Sequence, residues 1–188
     1  MSLREIIKVP NPFLKVTAKP VTVIDEDILT ILDDMMETMY HANGIGLAAT
    51  QIAIDKRLIV MDCGKKKFET QNISEEEYNE QIKDEQIEPF PIKMINPEII
   101  SLGKNLEERE EGCLSIPGYN AKIKRPSSLK VKYTDENKKD NIIDAEGLLA
   151  TCIQHEIDHL NGILFIDHLS KLKREIILKK AIKEYSKN

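Results

Sequence analysis

The sequence predicts an α+β fold, in which short antiparallel or mixed sheets wrap around one central helix and a further helix ends the chain. Three well-separated segments carry apolar residues at helical spacing, whereas short apolar runs typical of strands lie between the first two of these segments. The strands follow one another without the strand–helix alternation of parallel α/β proteins. At 188 residues the chain is long enough for a substantial core, and we predict a single domain over residues 1–188.

The first predicted helix follows Asp25 and ends near Asn43 and Gly44, after some short turns at the N-terminus. Asp25 is a typical N-cap residue, and an asparagine followed by a glycine is a common helix stop. Five apolar residues repeat at helical spacing between these boundaries: Ile28, Leu32, Met35, Met36 and Met39.

Short apolar runs predict the strands. Between the runs at residues 58–62 and 92–95, residues 64–88 form a charged insertion with three consecutive glutamates and few apolar residues. We predict that this insertion is a solvated loop, and the alternative is that it borders a substrate groove. The predicted strands are residues 58–62, 92–95, 129–133 and 141–145.

The central helix, residues 146–160, contains the sequence H-E-x-x-H from His155 to His159. Two histidines four residues apart lie on one face of a helix, so both can bind the same metal ion. Glu156, beside the first histidine, is placed to accept a proton from a water molecule that the metal activates. The motif alone can arise by chance, but here both histidines lie at the edge of a predicted buried face, where polar groups need a partner. The pattern indicates a metal-dependent hydrolase.

The third metal ligand discriminates between classes of hydrolase, because a catalytic site of this kind needs three protein ligands. One class of metalloprotease has a third histidine six residues after the second, but that position holds Phe165, and His168 lies three residues too late. Glu175, on a following helix, lies in a lysine-rich run that we expect to be solvated. Cys113, outside any helical pattern, is the better candidate, although a lone cysteine is more often a simple buried residue.

The glycine-rich segment 44–51 allows a different interpretation. Gly44, Gly46 and Ala49 match the fingerprint of dinucleotide-binding proteins, and Asp62 lies near the distance of a ribose-binding carboxylate. That fingerprint requires a strand before the glycines and a helix after them, whereas here a helix precedes them and a strand follows. We therefore predict no nucleotide cofactor.

Three segments occur in the order, and with the residues, that are typical of peptide deformylases: 44–51, 111–115 and 154–159. The resemblance to this family extends from about Ile7 to about Leu169. It implies a catalytic domain that hydrolyses the N-formyl group from the N-terminal formyl-methionine of newly made proteins and releases formate. Two alternatives remain at this stage, an H-E-x-x-H metallopeptidase and an inactive relative that binds ribosomes.

The resemblance also implies which residues hold the metal. Cys113, His155 and His159 match the three metal ligands of the family. The working ion implied by the resemblance is Fe²⁺, while Zn²⁺, Ni²⁺ or Co²⁺ would also suit one thiolate and two imidazoles.

The remaining roles follow from the same resemblance. Glu156 matches the general base that later acts as general acid, and the Gln51 side chain and the Leu114 backbone N–H match the oxyanion hole. Asn120 stands where some relatives have a substrate-contacting arginine, so this contact is either lost or supplied by Lys122, Lys124 or Arg125. Thr151 stands where a branched aliphatic residue is common. The residues implied in the methionine pocket are Ile45, Gly46, Leu148, Thr151 and Cys152.

The segment 171–188 is predicted to form a basic C-terminal helix, with seven Lys/Arg and two Asp/Glu in a chain whose net charge is −5. Related deformylases dock such a helix near the ribosomal exit tunnel. We therefore predict two partners, the nascent peptide as substrate and the ribosome as docking site. The alternative is a helix that simply packs on the body. Truncation after Ser170 is then expected to weaken ribosome binding and to leave small-peptide turnover nearly intact. The apolar residues of the predicted packing face are Leu172, Ile176, Ile177 and Ala181.

The composition favours a cytoplasmic protein. No signal peptide and no apolar run of membrane-spanning length are recognisable, so we predict no membrane partner. The three cysteines show no pairing pattern, which is typical of a reducing compartment. We expect Cys63 to be a buried thiol without a role at the site.

Overall fold

The computed structural model of the protein describes residues 2–66 and 87–185. Within these ranges it contains three α-helices, α1 (Glu26–His41), α2 (Gly147–Leu160) and α3 (Lys171–Tyr185). Three short 3-10 turns lie at Pro12–Lys15, Ala49–Ile52 and Phe165–His168. No helix in the described ranges has the length and the apolar character needed to cross a bilayer.

The strands of the described residues form one main sheet and two hairpins, and every neighbouring pair is antiparallel. The predicted α+β fold is therefore confirmed. The main sheet has the order β1-β2-β5-β8-β9, with β1 at Gly46–Ala48, β2 at Leu58–Asp62, β5 at Pro91–Leu102, β8 at Ser128–Thr134 and β9 at Asp140–Glu146. The hairpins pair β3 (Lys65–Lys66) with β4 (Ile87–Glu88) and β6 (Leu106–Gly112) with β7 (Asn120–Pro126).

Helices cover both faces of the main sheet. Side chains alternate along a strand, so Ile59 and Met61 of β2 pack towards α2, while Leu58 and Val60 pack towards α1. This two-sided burial explains why β2 is a continuous apolar run in the sequence. It also places α2 at the centre of the molecule, with residues 150–157 and Leu160 buried.

Helix α1 begins and ends as the sequence predicts. The Asp25 side chain accepts a hydrogen bond from the backbone N–H of Ile28 at 3.1 Å. At the other end, Asn43 has a left-handed φ of 54° and the N–H of Gly44 donates to the Met39 carbonyl at 2.9 Å. The chain thus turns sharply into β1, which carries the glycine-rich segment.

The four predicted strands are confirmed, but five of the nine described strands were not predicted, namely β1, β3, β4, β6 and β7. β1 is only three residues long, and β6 and β7 lack the alternation of apolar and polar residues that marks a half-buried strand. The backbone ladder holds this hairpin together, and two ion pairs between its strands add to it, Arg125 with Glu111 at 2.6 Å and Lys122 with Glu108 at 3.9 Å.

The apolar face of α3 differs in part from the predicted one. Leu172 and Ile176 are 69% and 46% exposed, so their assignment to the packing face was wrong. The helix instead contacts the body along Ile177, Ala181 and Tyr185, which lie four residues apart on one stripe, and Leu178 adjoins them. Position 176 is rotated by about 100° from 177 on a helix, and this difference decides which face is buried.

The charged insertion, residues 64–88, lies mostly outside the described residues, which omit 67–86. Its two ends are adjacent, since Lys65 pairs with Glu88 and Lys66 with Ile87.

Candidate active site

A cavity of about 400 Å³ lies between β1, the start of α2 and the segment that connects β6 to β7. This volume suits a small ligand or a few residues of a peptide. Every residue predicted for the methionine pocket lines this cavity, namely Ile45, Gly46, Leu148, Thr151 and Cys152. The cavity is also lined by Gln51, Cys113, Leu114, His155 and Glu156.

Cys113, His155 and His159 converge at the inner end of the cavity. One donor atom from each side chain lies within 4.8 Å of the other two, and the Cys113 Sγ is 3.2 Å from the His159 Nε2. The histidines are one turn apart on α2, and their rings meet edge to face at 4.9 Å between centroids. Cys113 comes from a distant part of the chain, directly after β6. One thiolate and two imidazoles at this spacing are a donor set that fits a tetrahedral divalent cation.

Glu111 orients His155. The Nδ1 atom of His155 is 2.9 Å from the Glu111 Oε2, which leaves the Nε2 atom of the ring available for a metal. Burial alone would raise the pKa of Glu111, but hydrogen bonds from His155 and Arg125 lower it to about 2. Glu111 is therefore a carboxylate at neutral pH, and it stabilises the ring orientation that metal binding needs.

Arg125 completes this buried network. It donates two hydrogen bonds to Glu111, from Nε at 2.6 Å and Nη2 at 3.0 Å, and a third from Nη1 to Asp158 at 2.8 Å. Its side chain is 7% exposed. Arg125 is thus held beneath the site and does not line the cavity, so of the alternatives given for the missing arginine contact the structure does not support Arg125. Asn120 does line the cavity, whereas Lys122 and Lys124 do not.

The sequence did not predict that Glu111 and Arg125 form a buried network that orients His155. Glu111 stands two residues before Cys113, and that proximity was the available signal. Arg125 is one of three basic residues in β7, and only the folded structure distinguishes it, because Arg125 is buried whereas Lys122 and Lys124 are exposed.

Glu156 faces the cavity with an unsatisfied carboxyl oxygen. Its Oε2 is buried and has no hydrogen-bond partner among the described residues. Burial is the main cause that raises the pKa of Glu156 to about 7. A buried carboxyl group without a protein partner requires a water molecule or a ligand atom. Glu156 is thereby suited to exchange a proton with a group in the cavity.

The orientation of the Gln51 amide is fixed by its partners. Its Oε1 accepts a hydrogen bond from the Ala48 N–H at 2.9 Å, and its Nε2 donates to the Ser115 Oγ at 3.2 Å. The Nε2 also lies 3.5 Å from the Cys113 Sγ. The amide N–H₂ therefore points towards Cys113, which together with His155 and His159 forms the group here called the metal-ligand cluster. Leu114 follows Cys113 along the cavity wall.

The part of the cavity predicted to be the methionine pocket presents few free polar groups. The Thr151 hydroxyl donates to the Gly147 carbonyl at 3.1 Å, so the helix itself satisfies the polar group of this residue. The Cys152 Sγ lies 3.6 Å from the Ile45 carbonyl oxygen. Thr151 can thus take the place of a branched aliphatic residue without leaving an unpaired donor in the pocket.

Comparison with known proteins identifies the family. A family model described as polypeptide deformylase matches residues 3–175. The chain belongs to the peptide deformylase family. The peptide deformylase of Methylocella silvestris is 47% identical over 180 residues, which cover 96% of this chain and 84% of that protein. The peptide deformylase of Rhizobium meliloti is 45% identical over 183 residues, or 97% and 94% of the two chains.

Solved structures agree with this assignment. The crystal structure of peptide deformylase from Ehrlichia chaffeensis has a TM-score of 0.85 and 38% identity, and the match covers 99% of this chain and 98% of that one. Membership of the peptide deformylase family makes the chain a metallohydrolase that removes the N-formyl group from nascent peptides. This interpretation is supported over a metallopeptidase and over an inactive ribosome-binding relative.

Gly46→Ala is expected to reduce kcat/KM for formyl-peptide hydrolysis by roughly ten- to a hundredfold, because displacing a reacting group by about 1 Å has effects of this size. A Cβ atom at position 46 would lie 2.3 Å from the Glu156 Oε1 and 2.8 Å from the Cys152 Sγ, so at least one of these groups must move. Steady-state kinetics with a formylated tripeptide measure the change, and thermal melting shows that the variant is folded. A kcat/KM equal to that of the unaltered protein would contradict the close packing of Gly46 against Glu156.

Proposed function

We propose that Cys113, His155 and His159 hold one divalent metal ion, Fe²⁺ in the cell, at which this chain hydrolyses N-formyl-methionyl peptides. The convergence of the three donor atoms within 4.8 Å carries this proposal. When bound, the cation would lower the pKa of a water molecule and polarise the formyl carbonyl group. Zn²⁺, Ni²⁺ and Co²⁺ fit the same donor set, and the choice of Fe²⁺ follows the family resemblance.

Glu156 is the proposed acid–base residue. Its side chain lines the cavity, its Oε2 has no hydrogen-bond partner among the described residues, and its pKa of about 7 allows it to accept and to release a proton near neutral pH. It would take the proton of the attacking water and then deliver it to the departing amine of the methionine. The same carboxyl group thus serves both halves of the hydrolysis.

Gln51 and Leu114 are the proposed oxyanion hole. Negative charge develops on the formyl oxygen as water adds to the carbonyl carbon, and fixed N–H donors stabilise that charge more in the transition state than in the ground state. The Gln51 amide is held by Ala48 and Ser115, so it does not need to reorganise during the reaction. The Leu114 backbone N–H is the proposed second donor.

The methionine side chain is proposed to bind among Ile45, Gly46, Leu148, Thr151 and Cys152. Leu148 and Ile45 are 44% and 47% exposed, so they present apolar surface at the open side of the cavity. The absence of a side chain on Gly46 lets a peptide backbone approach β1 closely. A peptide extended along β1 could then pair with it as an added strand.

The metal assignment is tested with protein produced and purified without oxygen. We expect iron to be the most abundant bound metal, and we expect Fe²⁺ protein to release formate from formyl-Met-Ala-Ser faster than the same protein loaded with Zn²⁺. Elemental analysis and a formate assay measure the two quantities. Stoichiometric zinc in the anaerobic preparation, together with full activity of the zinc form, would contradict the choice of Fe²⁺.

We also propose that the enzyme acts in the cytoplasm and docks on the ribosome near the exit tunnel through residues 171–188. The stripe of α3 formed by Ile177, Ala181 and Tyr185 packs on the body. Its lysines remain exposed on the outer side of the helix, in a chain of net charge −5. A local basic surface on an acidic protein favours a partner rich in phosphate groups.

Charge reversal at Lys179, Lys180 and Lys183 is expected to weaken co-sedimentation with ribosomes by about tenfold or more, since each phosphate contact contributes to a salt-dependent affinity. These lysines are exposed, so the substitutions leave the packing face of α3 intact. Pelleting assays at several salt concentrations measure the effect.

The matched control reverses three exposed lysines outside α3, namely Lys104, Lys138 and Lys139, and changes the net charge by the same amount. Equal ribosome binding by both triple variants would show that overall charge, and not α3, governs the interaction. Small-peptide turnover serves as the check on folding for both variants.

A further inference from the structure

The segment between β6 and β7, residues 113–119, carries two of the proposed catalytic groups and is here called the cysteine loop. Cys113 provides the proposed thiolate ligand, and Leu114 provides the proposed oxyanion donor. The loop has a compact turn, in which the Ile116 N–H donates to the Cys113 carbonyl at 2.9 Å. A displacement of residues 116–119 would therefore also displace Cys113 and Leu114.

Two contacts hold the beginning of the cysteine loop to the body. The Ser115 carbonyl accepts a hydrogen bond from the Val9 N–H at 3.1 Å, and the Ser115 Oγ accepts one from Gln51 at 3.2 Å. Ser115 is fully buried. Both contacts are made by Ser115, so they hold the beginning of the loop and leave its later residues, from Pro117 onwards, to other contacts.

The C-terminal helix holds the other side of the cysteine loop. The Tyr185 hydroxyl donates to the Pro117 carbonyl at 2.8 Å, across 68 positions of sequence. The Lys8 ammonium lies 5.5 Å from the centre of the Tyr185 ring, which links this contact to the segment that precedes Val9. Tyr185 thus joins the N-terminal segment, the cysteine loop and α3.

Apolar packing supports the same arrangement. Ala181 is fully buried in a cluster with Ile116, and the partly buried Cys113, Tyr119 and Ile177 pack against this cluster. The last two turns of α3 therefore lie directly behind the cysteine loop. The cysteine loop is therefore held by apolar packing as well as by the hydrogen bond from Tyr185 to Pro117.

We propose that Tyr185 is a positioning residue, whose hydroxyl holds Pro117 and thereby fixes the Cys113 thiolate and the Leu114 N–H at the reaction centre. This inference rests on the proposed function, because it assumes the roles given there to Cys113 and Leu114. It assigns α3 a part in catalysis that is separate from any ribosomal contact. Truncation after Ser170 is then expected to impair small-peptide turnover as well, so lysine substitutions test ribosome docking more selectively than truncation.

The test is Tyr185→Phe, which keeps the ring and removes the hydroxyl. We expect kcat for formyl-Met-Ala-Ser to fall about threefold to tenfold, as for the loss of one hydrogen bond, while KM stays within about twofold. Release of the metal to a chelator should accelerate by a similar factor. In the Co²⁺-loaded protein, the thiolate-to-cobalt absorption band should shift.

Tyr133→Phe, on β8 of the main sheet, is the matched control and should resemble the unaltered protein in all of these measurements. If Tyr185→Phe lowers only the melting temperature, with kcat, metal release and the cobalt band unchanged, the contact is merely structural and the inference is overturned. Cys113→Ser distinguishes a failure of the proposed metal ligand from a failure of the proposed role of Tyr185. Full activity and metal content in Cys113→Ser would refute the proposed ligand itself, whereas a damaged Cys113→Ser beside a normal Tyr185→Phe would refute only the positioning role.

Discussion

Glu156→Gln is expected to lower kcat for formate release from formyl-Met-Ala-Ser by about 10²–10⁴-fold, the range that general acid–base catalysis contributes. Glutamine keeps the volume of the side chain, but it can neither accept the proton of the attacking water nor return one to the amine. The Oε2 of Glu156 is buried and has no hydrogen-bond partner in the described part of the chain, so the substitution breaks no structural bond of this oxygen there. Metal content and melting temperature should therefore stay close to those of the unaltered protein.

Glu175→Gln is the matched control for this prediction. Glu175 lies on α3, 4.0 Å from Lys171, with 57% of its side chain exposed, so its loss should leave formate release unchanged. The two variants are compared by single-turnover and steady-state kinetics on the same metal-loaded preparations. Formate release by Glu156→Gln at the normal rate would remove Glu156 from the mechanism and would point to another base.

Cys113→Ser is expected to weaken metal binding by about a hundredfold or more, because loss of a residue that merely orients a ligand already weakens metal affinity by about 10–100-fold. A serine hydroxyl is a harder and much less acidic donor than a thiol, and it would leave two imidazoles to hold the cation. Formate release should fall with metal occupancy. Competition with a chromogenic chelator measures the affinity, and the formate assay measures the activity.

Cys63→Ser provides the control, since it also replaces a thiol with a hydroxyl but lies outside the metal-ligand cluster. It is expected to retain metal and activity. Normal metal affinity in Cys113→Ser would mean that the third ligand comes from elsewhere in the chain.

The sequence by itself determined the elements whose causes are local. Asp25 caps α1 through a residue three positions away, and His155 and His159 share a face because a helix repeats every 3.6 residues. The continuous apolar run of β2 follows from burial on both faces of the sheet. The order of three short motifs was enough to indicate the family, since each motif needs particular residues at fixed spacing.

The tertiary structure decided what depends on residues that are far apart in sequence. The charged hairpin of β6 and β7 shows no apolar alternation, and only its packing against α2 brings Arg125, Glu111 and Asp158 together. Gln51 acquires a fixed amide orientation from Ser115, 64 positions away. Likewise, Tyr185 meets Pro117 because α3 packs along one stripe and leaves Ile176 exposed.

The physical reason for this division lies in the range of the interactions. Helix caps, turns and periodic burial depend on neighbours within about one turn or one strand, so they can be inferred from short windows of sequence. A buried ion network or a loop contact depends on which distant surfaces meet in the folded chain. From the sequence alone, a charged residue that enters such a network cannot be distinguished from one that stays in solvent. The sequence therefore predicted the candidate ligands and the helix that carries two of them, while the packing of the chain selected the groups that orient them.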